Sequence, residues 1–172
     1  MNTEAADMPP PLSVASQAEL AATKADSIIK SHIIMAMAAG LVPSPLVDMI
    51  AVTVIEVNMI AELAQVYRFP VPHRLVSYKI LISLAGGIGP VYLSAKYTYL
   101  IKTLPLVGHA IYVGALSLSG GISVYAVGKI FQKHFESGGT FLSSDNAVLR
   151  NYFKEKQKEG RKLVPEMLAE SR

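Results

Sequence analysis

Histidines and carboxylates are the residues of this sequence that could bind a metal or act in catalysis. Their spacing argues against both roles. His134 and Glu136 form an H-x-E pair. Zinc sites use about four ligands, often cysteine or further histidine, and the chain has no cysteine and only four scattered histidines. No local grouping of serine, histidine and aspartate suggests a nucleophile. We therefore predict no catalytic residue, no metal and no cofactor. His134 and Glu136 are expected to cap carbonyls at a helix end or to pair with a neighbour.

The glycine clusters do not form a nucleotide site. A phosphate loop places four residues between two glycines, follows them with Lys and Ser or Thr, and comes after a strand. Gly121 and Gly128 have six residues between them, Ile130 follows Lys129, and the surrounding pattern is helical. The glycines of residues 86–89 have no lysine after them. Both clusters are predicted to pack or kink helices.

The carboxylates of residues 45–67 have structural and functional interpretations. Asp48 follows two prolines and is expected in the first turn of a helix, where free N–H groups and the helix dipole favour a carboxylate. At 100° per residue, Glu62 falls on the polar back of this helix and Glu56 at its border. Glu56 and Glu62 are predicted to pair with Lys or Arg of another helix or subunit, or to be solvated.

Composition points to membrane contact. Apolar residues make up 51% of the chain, charged residues 17%, and the mean hydropathy is +0.37, whereas soluble domains are about 25% charged. Thr103–Gly128 contains 26 residues without a formal charge, which exceeds the roughly 20 needed to cross a bilayer. His109 is the ionisable group in this run, and it is either functional or a neutral, hydrogen-bonded imidazole.

Three arrangements of the uncharged run stay open. It could form a spanning hairpin, a re-entrant or interfacial hairpin, or the buried core of a soluble bundle. Small residues let helix backbones approach closely in lipid, and the run contains Gly114, Gly120 and Gly121. We therefore expect membrane lipid and a second copy of the chain as partners.

Prolines and glycines divide the chain into helices. Ser16, with Glu19 three residues later, predicts a helix start, and that helix should end near Leu41. Pro43 and Pro45 break the chain and start a second helix that ends near Tyr67. The short link makes these two helices an antiparallel hairpin.

The remaining prolines and glycines predict an all-α fold of about five helices. A third segment, 73–102, and a fourth after Pro105 would form a central, apolar, glycine-rich helical hairpin. Gly138 and Gly139 should end the fourth helix. A last polar helix starts near Asp145, and Gly160 is expected to break it.

Three regions are predicted along the chain. Residues 1–16 read as a disordered leader without a targeting peptide, 17–143 as a helical membrane-associated domain, and 144–172 as a polar C-terminal helix and tail. The net charge of +3 comes from residues 129–172, with nine basic and six acidic groups. That excess fits a tail near anionic lipid or a solvated helix. It forms no basic stripe, so nucleic-acid binding is not expected.

Two stretches resemble a known family. Pro43-Ser44-Pro45-Leu46-Val47-Asp48, followed by Met59-Ile60-Ala61-Glu62-Leu63-Ala64-Gln65-Val66-Tyr67, resembles the bacterial YcjF-type domain of unknown function. Residues 125–129 and 134–140 are similar to its C-terminal part, so the resemblance covers about 25–153. It implies a helical, membrane-associated protein with no established catalytic residues.

Two departures from that family matter. Its tyrosine is usually followed by glycine, whereas Arg68 follows Tyr67 here, so a differently built turn is expected. The family often has a GTPase domain before this one, and only a short leader stands there, which implies a GTPase partner in trans or independent action.

The sequence therefore supports two hypotheses. The first is a non-enzymatic, membrane-associated scaffold that oligomerises on the cytoplasmic side of a bacterial inner or internal membrane. The alternative is a soluble helical adaptor whose acidic helix binds a partner such as a GTPase. The two differ in whether the protein sediments with membranes.

Overall fold

The computed structural model describes residues 13–42, 45–70 and 105–170, and their regular structure is entirely helical. The helices are α1 (Val14–Ala39), α2 (Pro45–Val66), α3 (Pro105–Glu136) and α4 (Asn146–Glu170), with a 3₁₀ turn at Phe141–Ser143. The all-α prediction is confirmed. The predicted third segment, 73–102, lies outside the described residues, and with it half of the predicted central hairpin.

Helix α1 begins earlier than predicted. The hydroxyl of Ser13 accepts a hydrogen bond from the backbone N–H of Ser16 at 3.2 Å, which makes Ser13 the N-cap. Two serines three residues apart can each form such a cap, and the sequence pattern favoured the wrong one. The last residues of the predicted leader are therefore helical.

Helix α3 is the central element and packs against α1, α2 and α4. Its glycines permit the close approach, because a Cβ added at Gly128 would lie 2.8 Å from Cγ1 of Ile29 and 3.1 Å from Sδ of Met59. A Cβ at Gly120 would lie 3.3 Å from the carbonyl oxygen of Ala36. The largest fully buried side chains of the core are Phe131, Ile33, Met59, Ile60, Leu63, Ile130, Val124, Val127 and Val164.

Helix α4 packs along α3 and is longer than predicted. Asp145 caps it by accepting the N–H of Ala147 at 2.7 Å, and the helix then continues through Gly160 and Pro165 to Glu170. The predicted break at Gly160 is wrong. This glycine serves packing, since a Cβ there would lie 3.0 Å from the ring of Tyr125 on α3.

Helices α2 and α3 end in the same kind of turn. At the end of α3, Gly139 N–H donates to His134 O at 2.8 Å and Gly138 N–H donates to Phe135 O at 3.1 Å, which is a Schellman motif. At the end of α2, Phe69 N–H donates to Ala64 O at 2.8 Å and Arg68 N–H donates to Gln65 O at 3.1 Å. The left-handed position, a glycine with φ +68° in α3, is Arg68 with φ +56° in α2.

The turn after Tyr67 therefore has the hydrogen bonds of a glycine-ended helix, with arginine in the left-handed position. Arg68 adopts the conformation that glycine would provide, although a side chain makes it unfavourable by about 1–2 kcal/mol. The hydrogen bonds of the motif and the packing of Phe69 on Phe135, with ring centroids 5.3 Å apart, hold the turn in place.

We expect Arg68→Gly to stabilise the fold by about 1 kcal/mol, because glycine removes the left-handed strain. Gly138→Ala is the matched control, since it places a side chain at the equivalent position, where an added Cβ meets no described atom within 4 Å. It should destabilise by a similar amount. Chemical unfolding followed by circular dichroism measures both changes, and shifts of equal sign would contradict this account.

Candidate membrane-contact end and buried polar pairs

Large apolar side chains are exposed at the end of the bundle formed by the α1–α2 turn. We call this surface the apolar end. Its members are Ile34, Met35, Leu41, Val42, Ile50 and Val54, each 43–61% exposed. They converge because α1 and α2 are antiparallel, and Gly120 of α3 lies beside both Ala36 and Val52. Exposed apolar residues grouped in this way are typical of contact surfaces.

Formal charges are nearly absent from the parts of α1, α2 and α3 at the same end. From Lys30 on α1 to Glu56 on α2 the sequence contains one charged residue, Asp48, and residues 103–128 contain none. Lys30 is exposed. Helices α1, α2 and α3 together therefore have an uncharged end and a charged end, while α4 runs past both, because Val164 of α4 lies beside Gly121.

Helix α3 extends past the end of α1. Ser117 Oγ donates to the backbone carbonyl of Met37 at 2.7 Å, close to the last residue of α1, Ala39. Residues 105–116 precede this contact and span about 18 Å as a helix. Within them, Ala110 and Gly114 are exposed.

The opposite end carries the ion pairs. Lys129 Nζ lies 2.7 Å from Asp26 Oδ1, and this ion pair links α3 to α1. Lys156 Nζ lies 2.7 Å from Glu159 Oε2, and the other oxygen of Glu159 accepts from Tyr125 OH at 2.7 Å. A polar cleft of about 200 Å³ lies between α3 and α4. It is lined by Lys129, Gln132, Lys133, Glu136, Tyr152, Lys156 and Glu159.

Glu56 is a buried carboxyl group between α2 and α3. It is 5% exposed, and its Oε1 accepts a hydrogen bond from Ser123 Oγ at 2.8 Å. Burial raises the pKa of Glu56 from 4.5 to about 7, because desolvation penalises the charged form more than the serine hydroxyl stabilises it. Glu56 is thus a proton-binding group close to neutral pH.

Glu56 does not lie where the helical pattern placed it. The prediction that it sits at the border of an acidic back, free for a partner, is wrong, because α3 covers it. Glu62 is half exposed, with its Oε1 3.7 Å from Nε2 of the buried His32. The Nδ1 of His32 lies 2.9 Å from the carbonyl of Ile28, which indicates that Nδ1–H is the donor.

The remaining predicted positions have mainly structural contacts. Tyr67 OH donates to Glu136 Oε1 at 3.1 Å. His134 Nδ1 accepts the N–H of Leu142 at 3.2 Å, which is a contact with a neighbouring backbone group, and burial lowers its pKa. The side chains of Asp48 and His109, and all of Pro43, lie outside the described residues, while Pro45 is the first residue of α2.

The predicted oligomerisation glycines divide into two groups. Gly120 and Gly121 are buried against the chain's own helices: a Cβ at Gly121 would lie 2.8 Å from Cγ of Met37. Gly114 is exposed, and an added Cβ there meets no described atom within 4 Å. Among the described residues, no three His, Asp or Glu side chains are close enough together to hold a metal ion.

Sequence reasoning missed the polar pairs that link distant parts of the chain. Ser123 and Tyr125 are buried or half-buried partners of Glu56 and Glu159, 67 and 34 residues away in sequence. The sequence contains one weak indication of these pairs, namely hydroxyl groups within an uncharged helix. A hydroxyl in an uncharged helix needs a partner once it is buried, yet the spacing does not identify that partner.

One described helix segment is long and apolar enough to cross a bilayer, Val113–Glu136 of α3. However, 53% of its apolar window is buried within the chain. The central helix of a soluble bundle meets the same criterion of length and composition. The segment is therefore weak evidence for spanning.

Comparison with known proteins identifies the class. The family model described as a domain of unknown function, DUF697, matches residues 14–159, and the chain belongs to this family. It is similar to Magnetosome membrane protein 22 of Magnetospirillum gryphiswaldense, with 34% identity over 146 residues that cover 84% of this chain and 74% of the relative. No solved structure matches the chain.

Proposed function

We propose that this chain is a membrane-associated helical scaffold without catalytic activity, located on the cytoplasmic side of a bacterial inner or internal membrane. The observation that carries the proposal is the apolar end, with six large apolar side chains exposed where formal charges are nearly absent. Exposing such a surface to water is unfavourable, and lipid contact removes that cost. A relative named as a membrane protein supports the proposal.

The scaffold part rests on the division between the two ends. The charged end carries the polar cleft and the first half of α4, which leaves polar groups available to proteins in the aqueous phase. Ala110 and Gly114, four residues apart and exposed on α3, provide a small-residue face through which a second copy could pack. We include homo-oligomerisation on this face in the proposal.

Cell fractionation tests the membrane association. We expect the full chain to sediment with membranes and to stay there in high salt, because apolar contact is not screened by ions as a surface charge contact is. Release by salt would indicate a charge-only contact. Recovery in the soluble fraction without detergent would reject the proposal.

The soluble-adaptor alternative now depends on Glu62. Its carboxylate is 52% exposed, whereas Glu56 is buried and cannot contribute to a protein interface without unfolding. If a GTPase binds this face, Glu62→Lys should abolish a soluble complex. An intact complex in that variant would exclude the acidic face as the docking surface.

A further inference from the structure

We propose that the apolar end lies at the boundary between lipid headgroups and acyl chains, with residues 105–116 of α3 directed further into the bilayer. This inference rests on the proposed function and specifies which surface meets lipid. It also specifies orientation, since the charged end of α3 and the first half of α4 then face the aqueous phase.

The depth of the apolar end in the membrane is limited by the position of the nearest charged residue on α1. Ile34 and Val42 are 49% and 47% exposed. Ile34 lies five residues before the end of α1 at Ala39, and Val42 lies in the turn that follows. Lys30 is exposed one turn before Ile34. An interfacial surface is buried about 5–10 Å into the headgroup and acyl boundary, so Lys30 lies within reach of lipid phosphates.

Asp48 fits this position better than a deeper one. It lies in the first turn of α2, which begins at Pro45, where free N–H groups favour a carboxylate. A residue at the headgroup level is within reach of water. A carboxylate at the centre of the hydrocarbon core would instead cost about 2.5–3.5 kcal/mol.

Lipid suits this surface better than a protein partner. A protein interface is completed by a polar rim, whereas the uncharged character here continues into residues 105–116 of α3, which have no formal charge. The part of α3 that projects beyond Ser117 spans about 18 Å, which is more than half of a hydrocarbon core of about 30 Å. An acyl-chain layer can contact both the exposed apolar side chains and the uncharged, projecting part of α3.

The chain lacks cysteine, so a single introduced thiol can be labelled at one chosen position. Val42→Cys and Val148→Cys form a matched pair, because both are exposed valines, 47% and 50%, one at the apolar end and one on α4. Each full-length variant is labelled with an environment-sensitive fluorophore and mixed with phosphatidylcholine vesicles. Co-flotation of the same labelled protein is measured in parallel.

We expect the label at Val42→Cys to shift to the blue and to be quenched by nitroxides placed near the headgroups. The label at Val148→Cys should keep its aqueous spectrum. If the protein floats while the label at position 42 stays in water, the assigned surface is wrong and membrane association stands. If it does not float, both proposals fail. A blue shift at position 42 without vesicles, dependent on protein concentration, would assign the surface to a second copy instead and overturn the inference.

Discussion

Replacing Glu56 by glutamine should make the protein more stable than the wild type by about 3 kcal/mol at pH 8, with no comparable gain at pH 4. The figure follows from a pKa raised from 4.5 to about 7 by burial, at about 1.36 kcal/mol per pKa unit. Glutamine keeps an oxygen that can accept the hydrogen bond of Ser123. It carries no charge that would need to be buried.

The pH dependence of the wild type has a defined sign. Below pH 4.5 the carboxyl is neutral in both the folded and the unfolded state, and the stability is fully present. Between pH 4.5 and 7 the unfolded chain releases the proton while the folded chain holds it. The free energy of unfolding therefore falls as pH rises through this window and is constant above it.

Chemical unfolding at a series of pH values, in a mild non-ionic detergent, measures this difference. Glu62→Gln is the control, because it makes the same chemical change at a half-exposed position of the same helix and removes no buried carboxyl group. A Glu56→Gln profile parallel to that of the wild type would show that Glu56 is not the proton-binding group.

The second large effect concerns the glycines of α3. We expect Gly128→Ala to destabilise the fold by about 1–3 kcal/mol, as overpacking does, because its Cβ would lie 2.8 Å from Ile29 and 3.1 Å from Met59. Gly114→Ala should stabilise it by about 1 kcal/mol, since alanine is the better helix former and its Cβ meets no described atom within 4 Å.

The two variants make the same chemical change in the same helix, so their difference isolates the packing against α1 and α2. Thermal and chemical unfolding should place Gly114→Ala above the wild type and Gly128→Ala below it. Equal stabilisation by both would mean that α3 does not pack through Gly128 as described. Loss of oligomer in Gly114→Ala alone would support a contact between copies at that face.

The helices were predictable from the sequence because proline and glycine constrain the backbone locally. Pro45 starts α2, and Gly138 and Gly139 provide the positive φ angles at the end of α3. Arg68 shows the limit of this reasoning. Its sequence gives no sign of a left-handed residue, and the turn is stabilised by hydrogen bonds of the Schellman motif and by contacts of Phe69 with α3.

The buried site was not predictable, because helical periodicity gives a direction around an axis and not the neighbouring helix. Its position around the axis of α2 placed Glu56 at the border between the apolar and polar faces. The packing of α3 against that border buries it. The predicted helix break at Gly160 was wrong for the same reason. Read locally, the glycine predicts a break, whereas the approach of Tyr125, from 35 residues earlier, makes it a packing position within a continuous helix.

Flotation of the purified full-length chain with uncharged phosphatidylcholine vesicles, without detergent, tests the central claim most directly. Because the proposed contact is made by apolar side chains, with Asp48 the one formal charge from residue 31 to residue 55, binding should not require anionic lipid and should persist in high salt. We predict that the protein rises with the vesicles under both conditions. A monodisperse protein that stays in the aqueous fraction would contradict the account.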